Sequence, residues 1–261
     1  VSKKRIIFFD VDHTLYDPFQ DRIPPSARNA LQAVHAKGDT ILAIATGRAF
    51  HMLSVIEDVL PFFDLFVTIN GRIILHKGEI VHDDAFPKEE VAHIKGLFRR
   101  EGLCYGFVGK HTHAVSEADA EILARFERQR LPFPVTDKDF DKKNDVYQMW
   151  AIAPEEEHGR LAKELPHHDV VSWLEDGFDV IHPKKHKGSG VEKALELLGI
   201  PKDRAFCFGD AGNDIGMLAE IPNSIAMGNA SDTVKRHAKH ITAPLTDDGI
   251  AKALHKHGFL D

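Results

Sequence analysis

Cysteine is scarce in this chain: Cys104 and Cys207 are the only two among 261 residues, and neither belongs to a CxxC pair. Two lone thiols exclude a disulfide framework and fit small core residues in a reducing cytoplasm, which is the compartment expected here. Long hydrophobic runs are also missing. The longest, such as Ile6-Ile7-Phe8-Phe9, are far too short to span a bilayer, so no membrane partner is expected. Nor is there an excess of positive charge: 33 Lys and Arg stand against 40 Asp and Glu, a net charge of −7. Neutralising nucleic-acid phosphates takes clustered positive charge, so no nucleic-acid partner is expected. The basic start, Val1-Ser2-Lys3-Lys4-Arg5, leads into an apolar stretch that stops at Asp10, shorter than a signal-peptide core. The 17 histidines form no HExxH motif and no Cys/His cluster, and are read mostly as surface residues. Repeats and low-complexity tracts are absent.

What remains is an ordinary globular composition, 43% apolar and 28% charged. At ~150 residues per domain the length allows one or two domains. The N-terminal part alternates short apolar runs with helical periodicity. Runs at 5–9, 40–45 and 64–69 predict buried strands, and 26–37 and 49–60 predict helices, the second with Met52, Leu53, Ile56 and Leu60 inward. The C-terminal part repeats this logic: helix 188–198, strand 204–208, helix 212–219, strand 224–227, helix 231–238 and a last helix near 248–257. Strands apolar on both faces and separated by helices predict an α/β fold, a doubly wound parallel sheet. The middle differs. Lys77-Gly78 joins strands 72–76 and 79–83 as a hairpin turn. Helix 87–100, strands 103–108 and 111–115, helix 117–130, strand 146–153, helix 155–164 and strands 169–174 and 178–182 then group as α+β. We therefore expect a catalytic core from residues 1–82 and 184–261, with 83–183 inserted as a second domain.

Four segments carry side chains suited to chemistry. Asp10-Val11-Asp12-His13-Thr14 places two carboxylates just after a buried strand, where open α/β sheets bind ligands. One can attack or bind metal while the other moves a proton, although loop acids and helix caps have the same look. Thr46-Gly47-Arg48 ends the second strand. A hydroxyl and a glycine N–H before a helix suit a phosphate, and equally suit a Thr N-cap with a glycine turn. Gly209-Asp210-Ala211-Gly212-Asn213-Asp214 follows strand 204–208, and its Asp and Asn oxygens are hard ligands that suit Mg²⁺. A glycine turn with an N-cap explains one of those acids but not both. Lys187 precedes helix 188–198, where its charge opposes the helix dipole. Such a lysine usually faces solvent, but a site crowded with carboxylates and a phosphate would use it as counter-charge.

In this order DxDxT, TGR, a lysine and GDxxND resemble the motif set of the haloacid dehalogenase superfamily. Asn70-Gly71 after the third strand and the large insertion that follows resemble its Cof-like phosphatases, which carry an α/β cap there. The resemblance covers nearly the whole chain, with one departure: His13 stands where many members have Gly. It implies a Rossmann-like core, a substrate-selecting cap and a Mg²⁺-dependent phosphatase acting through an aspartyl-phosphate on small phosphorylated metabolites. Asp10 would be the nucleophile and Asp12 the acid and base. Thr46 and Lys187 would join them in catalysis. Gly47, Arg48 and Asn213, with Thr46 and Lys187, would bind substrate. Asp10, Asp12 through its backbone carbonyl, Asp210 and Asp214 would hold Mg²⁺, Asp214 through water or directly. Thr14 would fix the loop, and Lys142-Lys143-Asn144 would be a solvated loop. Two other readings remain: a sugar phosphomutase with the same aspartyl-phosphate chemistry, and a phospho-accepting receiver, which has no use for Asp12 or for a cap. Nothing in the sequence points to an oligomeric partner.

Overall fold

The structure is a computed structural model that describes residues 4–173, 176–184 and 186–261. The first three residues, the expected strand end at 174 and the lysine at 185 lie outside the described set. In chain order the elements begin with β1 (Arg5–Phe9), α1 (Pro25–Lys37), β2 (Thr40–Ala45), β3 (Leu65–Thr68), β4 (Ile73–His76) and β5 (Glu79–Asp83). Then come α2 (Lys88–Arg100), β6 (Tyr105–Val108), β7 (His113–Val115), α3 (Ala120–Arg128), β8 (Val135–Thr136), β9 (Gln148–Ile152), α4 (Glu155–Glu164), β10 (Asp169–Trp173) and β11 (Gly177–Ile181). The chain closes with α5 (Lys187–Leu198), β12 (Ala205–Gly209), α6 (Ile215–Glu220), β13 (Asn223–Ala226), α7 (Asp232–Lys235), β14 (His240–Ile241) and α8 (Gly249–Lys256). Two compact units result: Val1–Arg48, Leu53–Asp83 and His186–Asp261 form one, and Ala49–Met52 with Asp84–Lys185 form the other.

The first unit holds an eight-stranded sheet in the order β14-β13-β12-β1-β2-β3-β4-β5. It is parallel from β14 to β3 and antiparallel through β4 and β5. Alternation along β1 explains why both faces are covered. Ile7 and Phe9 join the apolar cluster with Leu31 of α1 and Leu254 of α8, while Ile6 and Phe8 join Val191 of α5 and Met217 of α6. Successive strand residues point to opposite faces, so an all-apolar strand needs a helical layer on each. The hairpin turn forms as expected, with Lys77 at φ 52° and Gly78 at φ 83°, the left-handed pair of a tight two-residue turn.

One expected helix is different. Residues 49–60 fold as 3-10 turns, Phe50–Ile56 and Leu60–Phe62, with bonds such as Met52 N–H to Ala49 O and Val59 N–H to Ile56 O. The buried residues Leu53, Ile56 and Val59 are spaced by three, the period of a 3-10 turn, and Val59 rather than Leu60 turns inward. Pro61 adds to this, because it denies the segment an N–H that an α-helix would use.

The second unit carries a six-stranded sheet, β10-β11-β9-β6-β7-β8. Its core packs Ile94 and Phe98 of α2 and Leu161 of α4 against Phe107, Met149 and Phe178. Trp150 lies over Gly106, and Trp173 over Gly177. A Cβ at either glycine would come within 2.4 Å of an indole carbon. Asp179 shares this sheet and accepts a hydrogen bond from Trp173 Nε1 at 3.0 Å. Burial pushes its carboxyl up to about 7, against hydrogen bonds from Trp173 and Gln148. The folded value exceeds the unfolded one. The acid therefore contributes most at low pH, and that contribution is lost as pH rises through about 7. Asp179→Asn, which keeps an acceptor for Trp173, should raise Tm at pH 8 and change it little at pH 4. A variant whose Tm gain is equal at both pH values would show that Asp179 is already ionised in the fold.

Candidate active site

Four parallel strands bring their carboxyl ends to one edge, and the candidate residues follow those ends. Asp10 comes straight after β1 and is tied to β12 by its N–H to Phe208 O at 3.0 Å. Thr46 follows β2, Asn70 lies two residues past β3, and Asp210 follows β12. Sheet order, with β12-β1-β2-β3 adjacent, is what makes these distant segments neighbours.

Lys187 is the centre of the arrangement. It is fully buried, and its Nζ donates to Asp10 Oδ1 and to Asp214 Oδ1, each at 2.6 Å. A lysine in the first turn of α5 opposes the helix dipole, so the two carboxylates must hold it there. Glycines make room for that turn. A Cβ on Gly188 would lie 2.6 Å from the backbone of Gly216, and one on Gly190 would lie 2.4 Å from Gly71 Cα. With no side chains at 188 and 190, α5 sits directly on two backbone segments and carries its lysine inward. His186 and Ser189 cap the helix by a reciprocal pair of hydrogen bonds.

Asp214 is fixed at both oxygens. Oδ1 takes Lys187, and Oδ2 accepts the N–H groups of Asp210 and Ala211 at 2.9 Å each. Gly209 leaves space for this carboxylate, since a Cβ there would lie 2.6 Å from Asp214 Cγ. Asp210 in turn accepts a hydrogen bond from the buried Thr14 hydroxyl at 2.7 Å. Ligand oxygens of Asp10, Asp210 and Asp214 lie within 4.8 Å of one another. Burial, reinforced by Asp214, pushes the Asp10 carboxyl well above the usual range, with Lys187 opposing. Burial also lifts Asp210 to about 6 against the Thr14 hydrogen bond; Asp214 adds to the rise, and His13 and Lys187 oppose it. For Lys187, burial alone would lower the value, but Asp10 and Asp214 reverse this and raise it. Three carboxylates thus share one ammonium. An all-oxygen set with a deficit of positive charge suits a hard divalent cation.

The carboxylate of Asp12 is elsewhere. Arg48 grips it with two hydrogen bonds, Nε to Oδ2 and Nη2 to Oδ1, each 2.8 Å. Such a fork on a carboxylate is a strong pair. The Thr46 hydroxyl accepts the Arg48 N–H at 3.1 Å, so TGR forms a turn of its own as well as lining the strand end. Asn213 is half-buried in the 3-10 turn Gly212–Asp214. Asn144 of the Lys142-Lys143-Asn144 stretch caps a 3-10 turn through the Phe140 carbonyl, in the second unit.

Two features escape a reading of residue types. Ile69 and Asn70 both take positive φ, 50° and 52°, and a β-branched residue there is a genuine outlier. The strain is held by Ile69 N–H to Arg48 O and Asn70 N–H to Thr46 O, 3.0 Å each. It brings the Asn70 amide beside Gly47, where a Cβ would meet it at 3.4 Å. The Asn-Gly pair after a strand is the only sequence signal for this. The second feature is His13, whose φ of 59° is a left-handed conformation that glycine adopts freely and a residue with a Cβ does not.

Comparison with known proteins places this geometry. YkrA of Bacillus subtilis, which carries a phosphatase name, is 27% identical over 257 residues, 98% of each chain. The pyridoxal phosphate phosphatase YbhA of Escherichia coli is 26% identical over 272 residues, covering 97% of this chain and 98% of its own. The solved structure of the HAD subclass IIB sugar phosphatase BT4131 superposes with a TM-score of 0.89 at 29% identity, covering 98% of this chain and all of that one. Among the described residues no helix is long and apolar enough to cross a membrane. The family model of the haloacid dehalogenase-like hydrolases matches residues 7–254, and the chain belongs to that family.

Proposed function

We propose that the protein is a Mg²⁺-dependent phosphatase that hydrolyses small phosphorylated metabolites, sugar phosphates or related monoesters, through an aspartyl-phosphate on Asp10. The observation that carries this reading is the buried triad in which Lys187 bridges Asp10 and Asp214 at 2.6 Å, with Asp210 alongside. The relatives named as phosphatases support it. Residues 83–183 are read as the cap that selects substrate, inserted into a core of 1–82 and 184–261.

An Asp10 oxygen attacks phosphorus, an oxygen–phosphorus bond forms, and the ester bond to the leaving group breaks. Asp12, released from Arg48 and protonated from solvent, gives that proton to the departing oxygen. It then takes a proton from water as that water attacks the aspartyl-phosphate, which releases inorganic phosphate and restores Asp10. Lys187 favours the ionised form of Asp10 against the burial that raises its carboxyl and, with the Thr46 hydroxyl and the Gly47 N–H, offsets the charge of the phosphoryl oxygens. Asp10, Asp210 and the Asp12 carbonyl would hold the metal, and Asp214, with both oxygens engaged, would support it indirectly. When bound, Mg²⁺ supplies positive charge to the phosphoryl oxygens. Asp12 must leave Arg48 to act, so Arg48 both stores the acid/base in a fixed place and becomes available to substrate.

Phosphate release across a panel of metabolite phosphates tests the reading. Activity should appear with Mg²⁺, vanish in excess chelator and return on adding Mg²⁺, and Mg²⁺ alone should raise the Tm of chelated protein. Full activity in excess chelator, or recovery with Zn²⁺ only, would contradict the metal assignment.

A further inference from the structure

The loop that carries Asp12 contains a residue in an unfavourable backbone state. His13 takes φ 59°. Left-handed backbone disfavours any residue with a Cβ, so contacts around His13 must hold it there. Both peptides that flank it are pinned. Its N–H donates to Tyr16 O at 2.8 Å, and its carbonyl accepts Asn229 Nδ2 at 3.0 Å. The first of these peptides also contains the Asp12 carbonyl, which a planar trans peptide points away from the N–H. The second leads into Thr14, whose hydroxyl donates to Asp210 at 2.7 Å. The backbone of one residue therefore sets the direction of the Asp12 carbonyl relative to the Thr14–Asp210 contact.

Asn229 is itself firmly placed. It follows the end of β13, where the Met227 N–H donates to the carbonyl of Gly209, the residue before Asp210, at 3.0 Å. Gly228 lies against the next turn: its N–H donates to Ala243 O at 3.1 Å, and a Cβ on it would come within 2.5 Å of Pro244 N. This close approach brings Asn229 Oδ1 to the Leu245 N–H, which it accepts at 2.9 Å. A carbonyl only accepts and an N–H only donates, so the two partners fix which end of the amide faces which. A carboxylate of the same shape could take the Leu245 N–H but not the His13 carbonyl. Asn229 is exposed, so these two bonds rather than core packing are what its side chain supplies.

We propose that Asn229 is a positioning residue: its amide holds the His13 carbonyl, and through it the turn that presents the Asp12 carbonyl to the metal and the Asp12 carboxyl to the leaving oxygen. The inference rests on the phosphatase reading above, which gives Asp12 both tasks. It has a consequence specific to histidine at position 13. Without Asn229, the turn relaxes toward the backbone that a Cβ prefers, and the peptide of Asp12 turns with it. Glycine at position 13 would keep the left-handed turn unaided, and Asn229 would then have nothing to hold.

The test is a double-mutant cycle on the full chain, with Asn229→Ala, His13→Gly and the two combined. Mg²⁺ affinity is read by titration calorimetry without substrate, and kcat and KM with a nitrophenyl phosphate at saturating Mg²⁺. In the wild-type background, Asn229→Ala should weaken Mg²⁺ binding and lower kcat by about three- to tenfold each, the worth of one hydrogen bond, with KM little changed. In the His13→Gly background the same substitution should move neither quantity by more than about twofold. Losses of equal size in both backgrounds, or a lower Tm with Mg²⁺ affinity and kcat unmoved, overturn the positioning role. Wild-type protein that hydrolyses no phosphate ester, yet shows the cycle in Mg²⁺ affinity, overturns the phosphatase reading and keeps Asn229 as the residue that positions the metal loop. Wild-type protein that binds no Mg²⁺ overturns both.

Discussion

Asp10→Asn is expected to remove turnover, on the order of 10⁴–10⁶-fold in kcat, while the fold stays intact. The amide is a poor nucleophile and a weaker ligand for a hard cation. Stability should hold or rise, for an electrostatic reason. The Asp10 carboxyl is lifted by burial and by the charges of Asp214, Asp210 and Asp12, with only Lys187 opposing. Deleting its charge removes that repulsion, and Lys187 keeps Asp214 as a partner. The check pairs a phosphate-release assay with thermal unfolding in the absence of divalent cations. A folded Asp10→Asn protein with substantial turnover would end the covalent mechanism, and a large drop in Tm would show the carboxylate to be structural.

Lys187→Met should do the opposite to stability while also abolishing activity. The side chain is fully buried, and it is the ammonium that bridges Asp10 and Asp214. Removing one partner of a buried charge cluster leaves the other charges uncompensated, typically at a cost of about 3–5 kcal/mol. For a chain of this size that is on the order of 10 °C in Tm. The deficit should shrink as pH falls, because protonating the orphaned acids relieves them, and it should shrink when Mg²⁺ is added at pH 8. Activity should not return with Mg²⁺, because the phosphoryl oxygens still lack the ammonium. A Tm deficit that is the same at every pH and indifferent to Mg²⁺ would mean that lost packing, not lost charge, is the cause.

The contrast between these variants depends on details that residue types reveal only in part. The acids at strand ends are legible, since an apolar run ending in Asp10 or Gly209-Asp210 marks the carboxyl edge of a parallel sheet. The partner of each acid is not. Arg48 reaches Asp12 across 36 positions only because β1 and β2 are neighbours in register, and Thr14 reaches Asp210 only because β12 flanks β1. Lysine at the start of a helix reads as a solvent residue by local rules, and its burial follows from Gly188 and Gly190 meeting Gly216 and Gly71, a long-range fit. Residues 49–60 differ from the expected helix for the converse reason. Met52, Leu53, Ile56 and Leu60 fit a period of 3.6, while the buried Leu53, Ile56 and Val59 repeat every three. Likewise, the left-handed backbone of His13 is an angle that the sequence does not display.

In the proposed reaction a phosphoryl group passes through Asp10, and it can be trapped there. Asp12→Asn protein would be mixed with a nitrophenyl phosphate and Mg²⁺, quenched in acid over a series of short times and mapped by peptide mass spectrometry. A good leaving group needs little protonation, so the first step survives. The second step lacks its base and should slow by about 10²–10⁴-fold. The expected result is a burst of nitrophenol and a matching phosphoryl group on the peptide that carries Asp10, labile to hydroxylamine and absent when Asp10 is also replaced by Asn. Turnover of the ester with no phosphoprotein at any quench time, or a phosphoryl group mapped to another residue, would contradict it.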